Sequence, residues 1–130
     1  MEILVDTSVW ISHFRNARIP AVLRLHSFIE QDETILTGDL ILAEILQGVQ
    51  SQHELIQIDD AFRVLEITPL VGEPIARQSA DYYRQLRHQG ITVRKTIDCL
   101  IATWCIYNEV LLLHSDRDFK HFLRFGLVEA

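Results

Sequence analysis

The sequence predicts an α/β protein with three layers, in which helices cover both faces of a central parallel sheet of about five strands. Short β-branched or apolar segments alternate along the chain with longer segments of helical periodicity, a pattern typical of parallel sheets. Residues 110–113 are wholly apolar, as expected for a strand that is buried on both faces. Because the 130 residues contain no repeat, linker or low-complexity tract, we expect one domain spanning residues 1–130.

The predicted strands are short, rich in residues of high β-propensity and bounded by turn residues. In chain order they lie at residues 3–5, 34–37, 63–67, 110–113 and 127–129. The helices between them carry apolar stripes at helical spacing. The first helix is expected to end near residue 16, and the second to run from residue 20 to the polar break at 31–33. The other five are expected at about 39–48, 51–61, 72–88, 96–107 and 117–125.

Side chains suited to helix capping mark several of these boundaries. Thr37 or Asp39 is expected to cap the third helix, and Thr96 is expected to cap the sixth. Ser51 and Glu54 form a capping-box pattern at the start of the fourth helix. Each cap would satisfy backbone N–H groups that the first turn of a helix leaves without a partner.

The composition predicts a cytoplasmic protein without a membrane span or a secretory leader. No apolar run reaches the roughly 18–20 residues that cross a bilayer, and the N-terminus lacks the pattern of a signal peptide. Cys99 and Cys105 are six residues apart on one predicted helix, a spacing that suits neither a redox pair nor a metal site. We therefore expect both to be buried, reduced thiols.

The formal net charge of −6 argues against a nucleic-acid partner, but a net charge ignores where the charges lie. Basic residues crowd just before Asp98 and just after Asp116. They are Arg84, Arg87, His88, Arg94 and Lys95 in the first cluster and Arg117, Lys120 and Arg124 in the second. Taken alone, such clusters are more often a solvated helix surface than a binding site.

Four acidic residues lie on or beside apolar elements, where an isolated carboxylate is costly. Asp6 and Asp116 each follow a strand, at the edge where open α/β sheets place their sites. Asp98 shares the apolar face of its helix, and Glu44 has no Lys or Arg three or four residues away. Separately, the three aspartates could each be a helix cap or a first-turn residue. One shared site explains all four acids together.

Four carboxylates in one pocket would repel one another, and some would keep their protons. A divalent cation removes that conflict, and oxygen-only ligands select Mg²⁺ or Mn²⁺. Such a site can activate a water and neutralise the charge that develops on a phosphodiester. The chain offers no Gly-x-Ser-x-Gly, Walker loop or reasoned Cys–His pair as another nucleophile. The acids therefore favour metal-dependent phosphodiester hydrolysis.

Two other classes of small α/β protein with Mg²⁺-binding acids fit less well. A response-regulator receiver requires a phosphorylated Asp after its third strand, but here that strand runs into Thr68 and Pro69. A haloacid-dehalogenase-type phosphatase requires Asp-x-Asp after its first strand, where this chain has Asp6, Thr7 and Ser8.

Four short segments contain the candidate acids, and a fifth lies near the C-terminus. They are residues 5–11 (VDTSVWI), 43–48 (AEILQG), 96–102 (TIDCLIA), 112–119 (LLHSDRDF) and 125–127 (FGL). Together, and in this order, they resemble the motifs of PIN domains, in particular the VapC toxins of bacterial VapBC toxin–antitoxin modules. The resemblance implies one PIN-like domain with a five-stranded parallel sheet and with acids at the C-terminal edge of the strands.

The same resemblance implies roles for individual residues. The metal-site and catalytic acids that it implies are Asp6, Glu44, Asp98 and Asp116. It also implies that Ser8 orients a carboxylate by a hydrogen bond and that Asp118 helps to hold water or a second metal. The position of His114 often holds Thr in that family.

The function that the resemblance implies is an endoribonuclease dependent on Mg²⁺ or Mn²⁺, which uses a metal-activated water. It also implies a toxin that is usually a homodimer and is neutralised by a cognate VapB antitoxin. For an RNA substrate, the candidate phosphate contacts are Arg84, Arg87, Arg94 and Lys95. The alternative is a non-catalytic PIN-like module that binds metal and RNA or protein, which the intact acid set disfavours.

Overall fold

The computed structural model describes residues 1–130 and contains four strands and seven helices. The strands are β1 (Glu2–Val5), β2 (Thr34–Gly38), β3 (Glu66–Thr68) and β4 (Leu111–Leu113). The helices are α1 (Thr7–Phe14), α2 (Pro20–Glu30), α3 (Asp39–Gln47), α4 (Gln52–Phe62), α5 (Glu73–His88) and α6 (Thr96–Asn108), followed by a 3-10 helix (Arg117–Phe125).

The strands form one parallel sheet in the order β3-β2-β1-β4, with β1 between β2 and β4. Ile3, Leu4 and Val5 of β1 are all fully buried. Because successive side chains of a strand point to opposite faces, their burial means that both faces of the sheet are covered. The predicted α/β class with a parallel central sheet is confirmed.

The C-terminal segment pairs with the sheet less extensively than predicted. Instead of a fifth strand at residues 127–129, a single parallel bridge joins Glu129 to Leu112 of β4. Two backbone hydrogen bonds form it, from Leu112 N to the Val128 carbonyl and from Ala130 N to the Leu112 carbonyl. The sheet therefore has four strands and one bridge, where about five strands were predicted.

The boundary between α4 and β3 lies further along the chain than predicted. The alternating pattern at residues 63–67 predicts a strand, but α4 continues to Phe62 and β3 begins only at Glu66. Phe62 is buried and packs edge-on against Trp10 of α1, with ring centroids 4.8 Å apart. Phe62 is therefore a core residue at the end of α4, and residues 63–65 connect it to β3.

Two of the three predicted caps are wrong. Gly38 is the N-cap residue of α3, because Thr37 points into the core as part of β2 and is fully buried. Asp39 instead accepts hydrogen bonds from the backbone N of Leu40 and Leu70, which ties the start of α3 to the segment after β3. Lys95, not Thr96, is the N-cap residue of α6, without a side-chain cap.

The third cap is confirmed, and so is the prediction for the thiols. Ser51 Oγ accepts from Glu54 N, and Glu54 in turn accepts from Gln50 N. Cys99 and Cys105 are free and buried. None of the helices combines the length and apolar character that crossing a bilayer requires.

Candidate metal centre

Asp6 follows β1 and begins α1 at the C-terminal edge of the sheet. Its backbone N donates to the carbonyl of Leu113, which fixes it beside the end of β4. Its Oδ2 accepts from the backbone N of Ser8 at 3.0 Å and from Ser8 Oγ at 2.6 Å, so the carboxylate caps the helix. Ser8 Oγ also accepts from Ser115 N at 3.1 Å. Ser8 therefore links Asp6 to the loop that contains Asp116.

Glu44 is held by the residue between Asp6 and Ser8. It lies half-buried on α3, and its Oε1 accepts from Thr7 Oγ1 at 2.8 Å. No sequence pattern indicates that Thr7 contacts Glu44. In the sequence, the only indication of a role at the site is that Thr7 directly follows Asp6. In the structure, the helix that begins with Thr7 packs on α3. Thr7 and Ser8 thus hold two acids with neutral hydroxyl donors.

Asp98 lies in the first turn of α6 and is the least compensated acid of the site. The residue is 5% exposed, and its buried Oδ2 has no hydrogen-bond partner. Burial, followed by the negative charges of Asp6 and Asp116, raises the pKa of Asp98 to about 7, although Lys95 opposes the shift. The pKa of Asp6 is also raised, mainly by burial, although the hydrogen bonds from Ser8 oppose this.

Asp116 and Asp118 complete a tight group with Asp98. One carboxylate oxygen from each of the three lies within 4.8 Å of the others. Asp116 caps the 3-10 helix, because its Oδ1 accepts from Asp118 N at 2.9 Å. Arg94 pairs with this side of the site: its Nε lies 2.9 Å from Asp118 Oδ2, and its Nη2 lies 3.9 Å from Asp116 Oδ1.

The membership of this tight group differs from the predicted set of four acids. Asp118, expected in a supporting position, lies within the tight group, whereas Asp6 and Glu44 lie outside it. Both still act on Asp98 through their charges, and Glu44 also raises the pKa of Asp6. The sequence-predicted acids therefore share one region of negative charge, arranged as a tight group of three beside a hydroxyl-bound pair.

These residues fit a divalent cation. The donor set is composed of carboxylate oxygens, which suit a hard ion such as Mg²⁺ or Mn²⁺. A buried carboxylate oxygen without a partner is costly, and Asp98 Oδ2 is such an atom. A cation would satisfy that atom and remove the repulsion that raises the pKa of Asp98. The buried aspartate cluster can therefore bind a metal ion.

The four basic residues predicted to contact RNA lie in different environments. Arg84 pairs with Asp81 at 3.5 Å, and the Arg87 guanidinium lies 6.0 Å from the centre of the Tyr83 ring. Both arginines line a cavity of about 520 Å³ whose opposite wall is formed by Thr96, Cys99 and Leu100 of α6. Arg94 is bound to the acids, and Lys95 precedes α6 and lowers the pKa of Asp98 against the stronger raising effects.

The chain is similar to proteins of a known family. The family model described as PIN domain matches residues 3–123. Ribonuclease VapC11 from Mycobacterium tuberculosis is 29% identical over 129 residues, which cover 98% of this chain and 96% of that protein.

Solved structures agree on the fold. The chain is similar to the structure of VapBC2 from Rickettsia felis, which is bound to a DNA fragment from the VapBC2 promoter. The TM-score is 0.77 and the identity is 17%, over 100% of this chain and 98% of that one. VapBC-1 from nontypeable Haemophilus influenzae also gives a TM-score of 0.77 with 17% identity, over 100% of this chain and 97% of that one.

Proposed function

The chain belongs to the PIN domain family, and on that basis we propose that it is a metal-dependent endoribonuclease, the toxin of a toxin–antitoxin module. One observation carries the proposal. Asp98 is buried with an unpartnered oxygen, and carboxylate oxygens of Asp116 and Asp118 lie within 4.8 Å of it. A relative named as a ribonuclease, which is similar over nearly the whole chain, supports the same chemistry.

In this proposal Asp98, Asp116 and Asp118 hold Mg²⁺ or Mn²⁺, and Asp6 and Glu44 add negative charge beside it. When bound, the ion supplies positive charge for a phosphodiester oxygen and lowers the pKa of a water molecule. Hydrolysis joins the water oxygen to phosphorus and breaks the bond from phosphorus to a ribose oxygen, which takes up a proton from solvent and leaves as a hydroxyl.

The chain's own residues orient the acids and accept the proton that the water loses. Ser8 fixes Asp6 and Thr7 fixes Glu44, in each case through a neutral hydroxyl that leaves the negative charge in place. Either carboxylate can therefore act as the proton acceptor. A Lys or Arg side chain in place of either hydroxyl would lower the pKa of that carboxylate and make it a weaker base.

RNA would approach along the basic residues next to α6. Arg84, Arg87 and Lys95 are exposed and lie within or beside the segment that leads to Asp98, so they can contact phosphates. Arg94 can do the same if it leaves Asp118. Because these contacts bind the backbone, they explain affinity and not the choice of RNA sequence.

A cognate antitoxin of the VapB kind is the partner that we propose, together with a homodimer as the active form. The VapBC complexes that share this fold support the first part. The reaction would take place in the cytoplasm, where RNA is available and where two free thiols remain reduced. The alternative function, a non-catalytic PIN-like binding module, predicts RNA binding without cleavage.

The decisive test is RNA cleavage by the Asp98→Asn variant. We expect cleavage to fall at least about 100-fold, because one ligand of the ion loses its charge. Asp60→Asn is the matched control, since it removes the same charge from an exposed position on α4. Sequencing of RNA ends after brief expression, with Asp6→Ala as the inactive reference, would then identify the substrate.

Full activity of Asp98→Asn, or equal activity with Mg²⁺ and with excess EDTA, would contradict the proposal. RNA binding by the wild-type protein without any cleavage would favour the non-catalytic alternative.

A further inference from the structure

His114, in the loop that follows β4, has a partner at each ring nitrogen. Its side chain is 5% exposed. The backbone N of Asp116 lies 3.2 Å from Nδ1, and Glu129 Oε2 lies 2.6 Å from Nε2. Since a backbone N can only donate, Nδ1 accepts, and the ring hydrogen is on Nε2 and is donated to Glu129. The two partners together select one tautomer of the imidazole.

Glu129 is itself held from two directions. Its backbone forms the bridge to Leu112, and its Oε1 accepts from Lys120 Nζ, at 2.9 Å, on the 3-10 helix. The carboxylate therefore lies between the end of β4 and the helix that Asp116 caps. Because an ionised carboxylate only accepts hydrogen bonds, Glu129 can receive the Nε2 hydrogen but cannot support the other tautomer.

The loop that these contacts hold contains two of the three acids in the tight group. His114 Nδ1 fixes the Asp116 backbone, and Asp116 Oδ1 in turn accepts from Asp118 N. The imidazole also packs on the fully buried ring of Phe119, with centroids 4.8 Å apart. A rotation of the His114 ring would therefore displace the backbone that presents both carboxylates to Asp98.

We propose that His114, oriented by Glu129, is a positioning residue for Asp116 and Asp118. This inference rests on the proposed metal site. It gives His114 a role through its nitrogen atoms, and it adds Glu129, which lies outside the five motif segments. Two hydrogen bonds connect Glu129 to His114 and His114 to Asp116. They make Glu129, which is 13 residues beyond Asp116 in sequence, part of the acid site.

The test is Glu129→Gln, measured by Mn²⁺ affinity and by the imidazole ¹⁵N spectrum of His114. Glutamine keeps the size of the side chain but can either donate or accept, so it no longer selects the tautomer. We expect mixed tautomers, about a tenfold loss of Mn²⁺ affinity and a fall in kcat with little change in KM for RNA. Glu73→Gln is the control, because it makes the same change at an exposed position on α5, and its Mn²⁺ affinity should stay within about twofold.

A second variant separates positioning from simple stabilisation. In His114→Asn, the amide oxygen can take the place of Nδ1 as acceptor for Asp116 N, so much of the Mn²⁺ affinity should be retained, unlike in His114→Ala. Adding Glu129→Gln to His114→Asn should then cause no further loss. Wild-type tautomer and Mn²⁺ affinity in Glu129→Gln, or a full additional loss in the double variant, would overturn the inference. Neither measurement requires RNA cleavage, so failure of the proposed nuclease activity would be seen separately.

Discussion

The two sides of the acid site hold their carboxylates by different means. On the inner side, Asp6 and Glu44 receive hydrogen bonds from the hydroxyls of Ser8 and Thr7. On the outer side, Asp116 and Asp118 face the guanidinium of Arg94, which is 69% exposed. Asp98 is affected by the charges of acids on both sides and has no partner for its Oδ2.

The difference shows which carboxylates of the site keep a negative charge that no cationic side chain neutralises. Hydroxyl donors orient a carboxylate but leave its charge intact, so the inner acids continue to act on one another and on Asp98. An exposed arginine neutralises part of the outer charge at little gain in stability, since water screens the pair. We therefore expect changes on the inner side and at Asp98 to have larger effects on stability than changes on the outer side.

The largest effect should come from Asp98 in the metal-free protein. Its pKa is raised from 3.8 to about 7, so the folded state binds this proton more tightly than the unfolded chain does. The stability that this proton contributes is fully present below pH 3.8 and is lost as the pH rises through about 7. The loss is on the order of 2–3 kcal/mol, because solvent screening reduces the effect that the full shift would give. Denaturant unfolding in EDTA at several pH values would measure it.

Asp98→Asn provides the comparison for that measurement. The amide does not titrate, so the difference in unfolding free energy between variant and wild type should grow in favour of the variant from about pH 4 to pH 7. A constant difference across this range would mean that the charge of Asp98 is already compensated and that the contrast between the two sides is wrong. Addition of Mn²⁺ should reverse the advantage of the variant.

The next largest effect should come from Ser8→Ala on the inner side. The substitution removes the hydrogen bond to Asp6 Oδ2 and leaves Ser115 N without its acceptor, so we expect a loss of about 1–2 kcal/mol in the free energy of unfolding. The pKa of Asp6 should rise further, because Ser8 now lowers it. Ser12→Ala, on the same helix, is the control and should change stability by less than about 0.5 kcal/mol. Equal effects of the two variants would deny Ser8 its role.

The smallest effect on stability should come from Arg94→Gln on the outer side. Because the guanidinium of Arg94 is largely exposed, water screens its ion pair with Asp118, and we expect the free energy of unfolding to change less than in Ser8→Ala. RNA binding by the inactive Asp98→Asn background should nevertheless weaken, and the slope of log affinity against log salt should become shallower by about one. Arg77→Gln, which breaks a similar exposed pair with Glu73, is the control. An unchanged salt slope would show that RNA does not contact Arg94.

Local sequence patterns were sufficient for most elements and failed where a distant contact decided the boundary. The capping box at Ser51 was predictable because its two partners lie within four residues of each other. Thr37 is equally suitable for a cap, but its place in β2 buries it. Phe62, the last residue of α4, packs against Trp10, which is 52 residues away in the chain. A short window contains no information about such a contact.

The sequence by itself determined the α/β class and the order of the elements, and it predicted which acids share the candidate site. Alternating periodicity defines strands and helices, and parallel connections place the C-terminal ends of strands at one edge. Only the tertiary structure decided that Asp118 joins Asp98 and Asp116, that Thr7 holds Glu44, and that Glu129 reaches His114. Those contacts join side chains from elements far apart in the chain, and their geometry depends on how the helices pack on the sheet.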